Sequence, residues 1–251
     1  MFEKIKKVNF DWFENTFGEP VKIDEDLKIK YYIYDSARNK KDKKEYEKGF
    51  IGWVQHFDDK SACMAVKADL LNFAVDFANK FKDKLASDES LKFLREYLNV
   101  DLFEHRGIFY CLNESNKKRL NSSKKQDNSR LLFKKDFEEY DFDFKNMLGW
   151  TAYPNFCYAT IIDKKIVSCA SAGYRENTDY IIGISTHTHE NYRKKGYAIS
   201  NVVALTEYVL NMNEAKEIRY MTDFDNIASQ KTALSAGFIE SGHEIYFAKK
   251  S

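Results

Sequence analysis

Residues 180–198 read YIIGISTHTHENYRKKGYA. Ile181, Ile182, Ile184, Thr186 and Thr188 form a β-branched run of the kind that fills strands. The run stops in a short polar turn. From Ala198 onward, Ile199, Val202, Val203, Thr206, Val209 and Leu210 recur at helical spacing. Between the two stands Arg193-Lys194-Lys195-Gly196-Tyr197-Ala198. A strand that ends in a basic, glycine-containing turn and opens directly into a helix suits an anion. The first N–H groups of a helix have no intrahelical acceptor, and its dipole favours negative charge there. Gly196 is expected to let the backbone approach a phosphate closely, because no Cβ intervenes. Outside this setting, Arg193-Lys194-Lys195 would read as a solvated basic turn.

The flanking stretches extend a sheet. Leu131–Phe133 reads as a strand. Phe156–Ile162 and Ile166–Ala172 read as two more, joined by the hairpin signature Asp163-Lys164-Lys165. Glu176-Asn177-Thr178 marks a turn. Glu217–Thr222 reads as a strand with Ile218, Tyr220 and Thr222 on one face. Asp225 or Asn226 is placed to cap a following helix and Gly237 to close it. Ile239–Ala248 completes the sheet.

Arg193-x-x-Gly196-x-Ala198, followed by Asn226-x-x-Ser229 and Ala236-Gly237-Phe238, resembles the acyl-CoA loop and last half of the GNAT acetyltransferase superfamily. Thr188, Tyr192-Arg193 and Gly196-Tyr197-Ala198 are similar to a bacterial branch of that family. The resemblance runs from Phe156 to Phe247. It implies an α/β (α+β) fold: a GNAT-type mixed, mostly antiparallel sheet flanked by helices, with an N-terminal α/β half packed on it. The halves are expected at 1–130 and 131–251, forming one body.

The resemblance further implies acetyl-CoA as acyl donor, with no metal. The backbone of Thr186, His187, Thr188 and His189 would pair with pantetheine, and an N–H near His189 would polarise the thioester carbonyl. The N–H groups of Lys194, Lys195, Gly196, Tyr197 and Ala198 would hold the pyrophosphate, helped by Arg193. Asn226 and Ser229 would complete the cofactor site. GNAT enzymes often carry a tyrosine acid where this chain has Ala233. Ser229 is then the nearest hydroxyl, either an acid or a helix serine bonding backward. Candidate bases are Glu190, His187, His189, Asp223 and Asp225, each with a plainer reading as a strand-end, loop or capping residue. His187-x-His189 has the spacing of a zinc pair, but no third His or Cys is near it in sequence. Ser168 reads as a small residue in a packed sheet or a family-like position. Trp53, Trp150 and Tyr153 are core aromatics or the lining of an acceptor pocket.

The implied reaction is direct transfer of an acetyl group to a primary amine of a small molecule or peptide. A non-catalytic acyl-CoA-binding sensor or partner is the competing reading, and a structural module the third. The acceptor is not legible, since fold does not fix substrate.

Composition sets outer bounds. Forty Lys+Arg stand against 39 Asp+Glu in 251 residues. That balance argues against a dedicated nucleic-acid or polybasic membrane surface. No apolar run reaches membrane-spanning length and the N-terminus has no signal-peptide core. Cys63, Cys111, Cys157 and Cys169 are scattered, as in a reducing, cytoplasmic compartment.

The first half is less legible. Phe2, Ile5, Val8, Trp12, Phe13 and Phe17 have helical spacing, and Asp35–Lys48 reads as a solvated loop or frayed helix. Lys28–Tyr34, Phe50–Phe57 and Ile108–Leu112 read as strands, with Asp58–Ser61 as a turn. Leu91, Leu94 and Leu98 mark a helix. The apolar residues from Leu70 to Phe81 fit either period, and a strand running into a helix is expected. Asn113–Arg130 is rich in Lys, Ser and Asn. With no aromatics interleaved for stacking, it reads as an exposed helix or connecting segment rather than a nucleic-acid arm.

Overall fold

The computed structural model describes residues 13–14, 17–34, 50–57, 60–99, 102–113, 115–133, 136, 139–141, 156–174, 181–211 and 217–249. Most of the expected first helix, the 35–48 segment, Asp58-Asp59, Trp150, Tyr153, the expected turn at 176–178 and Tyr180 lie outside them. The chain divides into two compact units, 1–109 with 241–251, and 110–240.

In the first unit the strand order is β1-β2-β4-β3-β11-β5. These strands are β1 (Lys22–Asp24), β2 (Ile29–Ile33), β3 (Phe50–Phe57), β4 (Ala62–Val66), β5 (Leu102–Asn113) and β11 (Ile239–Lys249); residues 110–113 of β5 and 239–240 of β11 are counted with the second unit. Helices α1 (Leu71–Phe81) and α2 (Asp88–Leu98) contribute Phe73, Phe77, Phe81, Leu91 and Leu94 to one core with Val54, Met64 and Ile245. Phe13 and Phe17 fill a second cluster with Tyr32 and Phe57. The expected strand at Leu71–Phe77 is a helix instead. Phe73, Ala74, Phe77, Ala78 and Phe81 are its buried stripe, so the 3.6-residue period prevails over the two-residue one. The strand lies earlier, at β4, where every residue is buried and no alternation exists to betray it. α2 begins at Ser87, whose side chain accepts from the Ser90 N–H, and ends at Asn99 in a left-handed conformation.

In the second unit the order is β10-β9-β8-β7-β6, built from β6 (Ser129–Phe133), β7 (Phe156–Ile162), β8 (Lys165–Tyr174), β9 (Ile181–Thr188) and β10 (Glu217–Asp223). Neighbours pair antiparallel except β9 with β10, which run parallel. The sheet is thus mixed and mostly antiparallel, flanked by helices, as expected. Asp163 and Lys164, at φ 50° and 60°, turn the β7–β8 hairpin with two left-handed residues. Helices α3 (Tyr197–Asn211) and α4 (Ile227–Ala236) complete the unit. Residues 117–119 and 122–124 form 3-10 turns, so the lysine-rich segment is a connection rather than a long helix.

Candidate functional site

The parallel ladder between β9 and β10 covers Ile181–Ile184 against Glu217–Tyr220 and stops there. β9 runs on to Thr188 and β10 to Asp223. Strands kept at ladder spacing would go on pairing, so beyond Ile184 and Tyr220 the two open into a fork. Ser185–Thr188 give about 13 Å of strand along one arm, at ~3.3 Å per residue.

On its other side β9 stays bonded to β8, with Cys169 opposite His187 and Ser168 opposite Thr188. The His189 N–H donates to Val167 O at 2.9 Å. Backbone groups alternate sides along a strand, so the N–H and C=O of Thr186 and Thr188 turn towards the fork. Arg193 Nε donates to Thr188 O at 3.3 Å from that side. The His189 N–H, expected to polarise a thioester, is thus engaged in the sheet. Of the four residues expected to offer backbone, Thr186 and Thr188 have the right orientation. Ser168 is fully buried; its hydroxyl donates to His187 O and meets Thr188 Oγ1 at 2.7 Å.

The loop follows at once. Glu190–Tyr192 make one 3-10 turn, and His189 Nδ1 accepts from the Asn191 N–H at 3.3 Å. Lys194 and Gly196 then take φ of 63° and 83°. The first intrahelical bond of α3 runs from the Ser200 N–H to Gly196 O, so the N–H groups of Tyr197, Ala198 and Ile199 precede any intrahelical acceptor. The side chains of Arg193, Lys194 and Lys195 are exposed around this concavity. A Cβ on Gly196 would point at Gln126 Nε2, 2.8 Å away, rather than at the open side. Glycine is favoured here by its left-handed backbone, and a Cβ would also push the Gln126 amide aside.

Gln126 braces the loop from outside the motif. Its Nε2 donates to Lys195 O at 3.1 Å and its N–H to Ser200 Oγ at 2.8 Å. Ser200 Oγ meets Ser129 Oγ, which also donates to Asn201 Oδ1. Gln126 sits in a polar, lysine-rich stretch, and no periodicity marks it.

On the other arm, Asn226 Oδ1 caps α4 by accepting from the Ser229 N–H at 3.1 Å. The Ser229 hydroxyl does not bond backward; it lies 2.8 Å from the Tyr220 hydroxyl. Burial pushes the Tyr220 pKa up to about 12; the Ser229 bond offsets part of this and Tyr110 adds to it. Tyr220, read from sequence only as a strand-face residue, is thus joined to Ser229. Ala233 is fully buried, so a tyrosine there would overfill packed space. His187 is half-buried; desolvation first, then Arg193 and His189, lower its pKa from 6.5. Glu190, Asp223 and Asp225 are exposed. Among the described residues no three His, Cys, Asp or Glu side chains could hold a metal ion, and no helix is long and apolar enough to cross a membrane. Cys63, Cys111, Cys157 and Cys169 are buried and form no disulfide.

No family model matches the chain, and no curated protein matches it. Many of its likenesses among solved structures are to proteins described as GNAT acetyltransferases. It is similar to an acetyltransferase from the GNAT family of Colwellia psychrerythraea, at 12% identity over 97% of each chain, with a TM-score of 0.49. It is similar to a GCN5-related N-acetyltransferase-like protein from Streptococcus suis, at 14% identity over 78% of this chain and 82% of that one (TM-score 0.45). A third likeness is to a GNAT-family protein from Novosphingobium aromaticivorans, at 14% identity and a TM-score of 0.46. It covers 59% of this chain and 66% of that one.

Proposed function

We propose that the chain transfers an acyl group, acetyl foremost, from acyl-CoA to a primary amine of a small molecule or peptide. The observation that carries the reading is the β9–β10 fork opening beside the Arg193–Ala198 helix entrance. An acyl-CoA has two recognition needs, a polyanion and an extended polar arm. The N–H groups at the start of α3, with Arg193, Lys194 and Lys195 around them, suit the pyrophosphate. The fork-facing backbone of Thr186 and Thr188 suits the amides of the arm. Laid along β9 from the loop, the arm brings its thioester to the closed end of the fork, near Tyr220 and Ser229. There the amine nitrogen attacks the thioester carbonyl and the thiolate leaves.

Ser229 serves as donor to the departing sulfur. His189 and Glu190, at the end of β9, are base candidates for the incoming ammonium, and half-buried His187, held towards its neutral form, is a third. Asn226 holds the start of α4 so that Ser229 keeps its place. The expected halves, 1–130 and 131–251, and the cytoplasmic setting belong to the same proposal.

Calorimetry with acetyl-CoA tests the reading. The wild type is expected to bind and Gly196→Glu, which adds bulk and negative charge at the loop, to lose binding. Undiminished affinity in a folded Gly196→Glu protein would sink the idea. Turnover against a library of amines separates an enzyme from a sensor that only binds.

A further inference from the structure

We propose that Tyr220 is a positioning residue that turns the Ser229 hydroxyl hydrogen towards the sulfur of a bound acyl-CoA, a role that rests on the acyltransferase reading above. Tyr220 is the last β10 residue in the ladder, opposite Ile184, so it stands at the closed end of the fork. Its ring meets Phe238 edge-on, with centroids 6.0 Å apart, and its hydroxyl reaches Ser229 Oγ on the first turn of α4.

Tyr220 is 1% exposed, and Ser229 is the hydrogen-bond partner of its hydroxyl. The polarity of this pair follows from counting protons. A buried phenol has one hydrogen to place, and leaving it without an acceptor is unfavourable. Were Ser229 the donor, the phenol hydrogen would be stranded in the core. So Tyr220 donates and Ser229 Oγ accepts. The serine's own hydrogen must then point elsewhere, and since Ser229 is half-buried it points to the open side. Burial also keeps the phenol protonated throughout the working pH range, because it raises the Tyr220 pKa to about 12. From the backbone, Asn226 holds the same serine through its N–H.

In the reaction the amine lone pair forms the C–N bond and the C–S electron pair departs on sulfur. Ser229 O–H donates a hydrogen bond to that thiolate. The surplus proton of the amine passes to water, and the thiolate takes one from water. Tyr220 transfers no proton; it sets the direction in which Ser229 donates.

The test uses CoA itself, through the ultraviolet absorbance of its thiolate, and acetyl-CoA turnover. A donor aimed at sulfur lowers the pKa of the bound thiol below that of free CoA. Tyr220→Phe and Ser229→Ala are each expected to raise it, with the double variant adding little to Ser229→Ala. CoA affinity should hold while kcat falls by about tenfold or more. Ser229→Thr, which keeps a hydroxyl, should retain most of the effect. A merely structural tyrosine would lower the melting temperature and leave the thiol pKa alone. A bound-thiol pKa unchanged in Tyr220→Phe overturns the inference by itself. Failure of the wild type to bind CoA overturns the acyltransferase reading and the inference with it.

Discussion

Replacing Gly196 with alanine tests the loop's backbone before any ligand is added. Gly196 sits at φ 83°, a conformation that costs an L residue about 1–2 kcal/mol. The new Cβ would lie 2.8 Å from Gln126 Nε2. That amide is the far end of a flexible side chain, so it can swing away, but its bond to Lys195 O is then lost. A hydrogen bond of this kind contributes about 0.5–1 kcal/mol. The expected destabilisation is about 2 kcal/mol, read by urea denaturation. In a Gln126→Ala background the second contribution is already gone, so Gly196→Ala should cost only the backbone part. The double-mutant cycle should therefore show coupling of about 0.5–1 kcal/mol. Gly196→Asn, which tolerates left-handed backbone better, should cost less than alanine. A Gly196→Ala penalty below about 0.5 kcal/mol would refute the backbone argument. Equal penalties in both backgrounds would refute the Gln126 contact.

Two further outcomes are expected. The His187 pKa is lowered, so the folded chain binds fewer protons than the unfolded one below pH ~6.5, and stability should fall with acid across that window. His187→Gln should flatten the slope of unfolding free energy between about pH 5 and 7, and NMR should place the His187 midpoint below 6.5; parallel profiles would contradict this. Gly237→Ala should be more damaging than Gly196→Ala, because its Cβ would come within 2.1 Å of the Arg119 carbonyl, a backbone atom that cannot swing aside. Loss of more than about 3 kcal/mol in denaturation is expected, and a smaller loss than for Gly196→Ala would be inconsistent with the packing.

The parts of the second unit that were legible are those where local chemistry and tertiary structure agree. Asp163-Lys164 turns a hairpin, Asn226 caps a helix, and Gly237 ends it at φ 106°. Each is a local preference with nothing to override it. Leu70–Phe81 was ambiguous because its apolar residues satisfy both periods, and only the packing of α1 chooses. β4 was missed because five consecutive buried residues carry no alternation. In the candidate site, the sequence marks the loop and Ser229 but not which face each backbone group takes. That the His189 N–H belongs to β8, while Thr186 and Thr188 face the fork, follows only from strand register. The partnership of Tyr220 with Ser229 likewise needs the strand and helix in place.

The lysine-rich segment shows why composition misjudges such a stretch. Its charge suggested a solvated connection, and Lys117, Lys118, Lys124 and Lys125 are indeed exposed. The contacts that fix it, however, are made largely by its backbone and by uncharged side chains. The Asn121 N–H donates to Ala236 O at the end of α4, and the Arg119 carbonyl fills the space that a side chain on Gly237 would need. A few residues on, the Gln126 N–H reaches Ser200 and its amide reaches Lys195 O at the entrance of α3. Lys125 and Ser122 both engage Glu207 along that helix. One short segment thus braces the start of the helix whose N–H groups are proposed to hold an anion and the end of the helix that carries Ser229. Both glycines of the resemblance, Gly196 and Gly237, face it. Their requirement is then architectural as much as chemical: Gln126 and the Arg119 carbonyl, both from this one segment, lie where side chains on Gly196 and Gly237 would go.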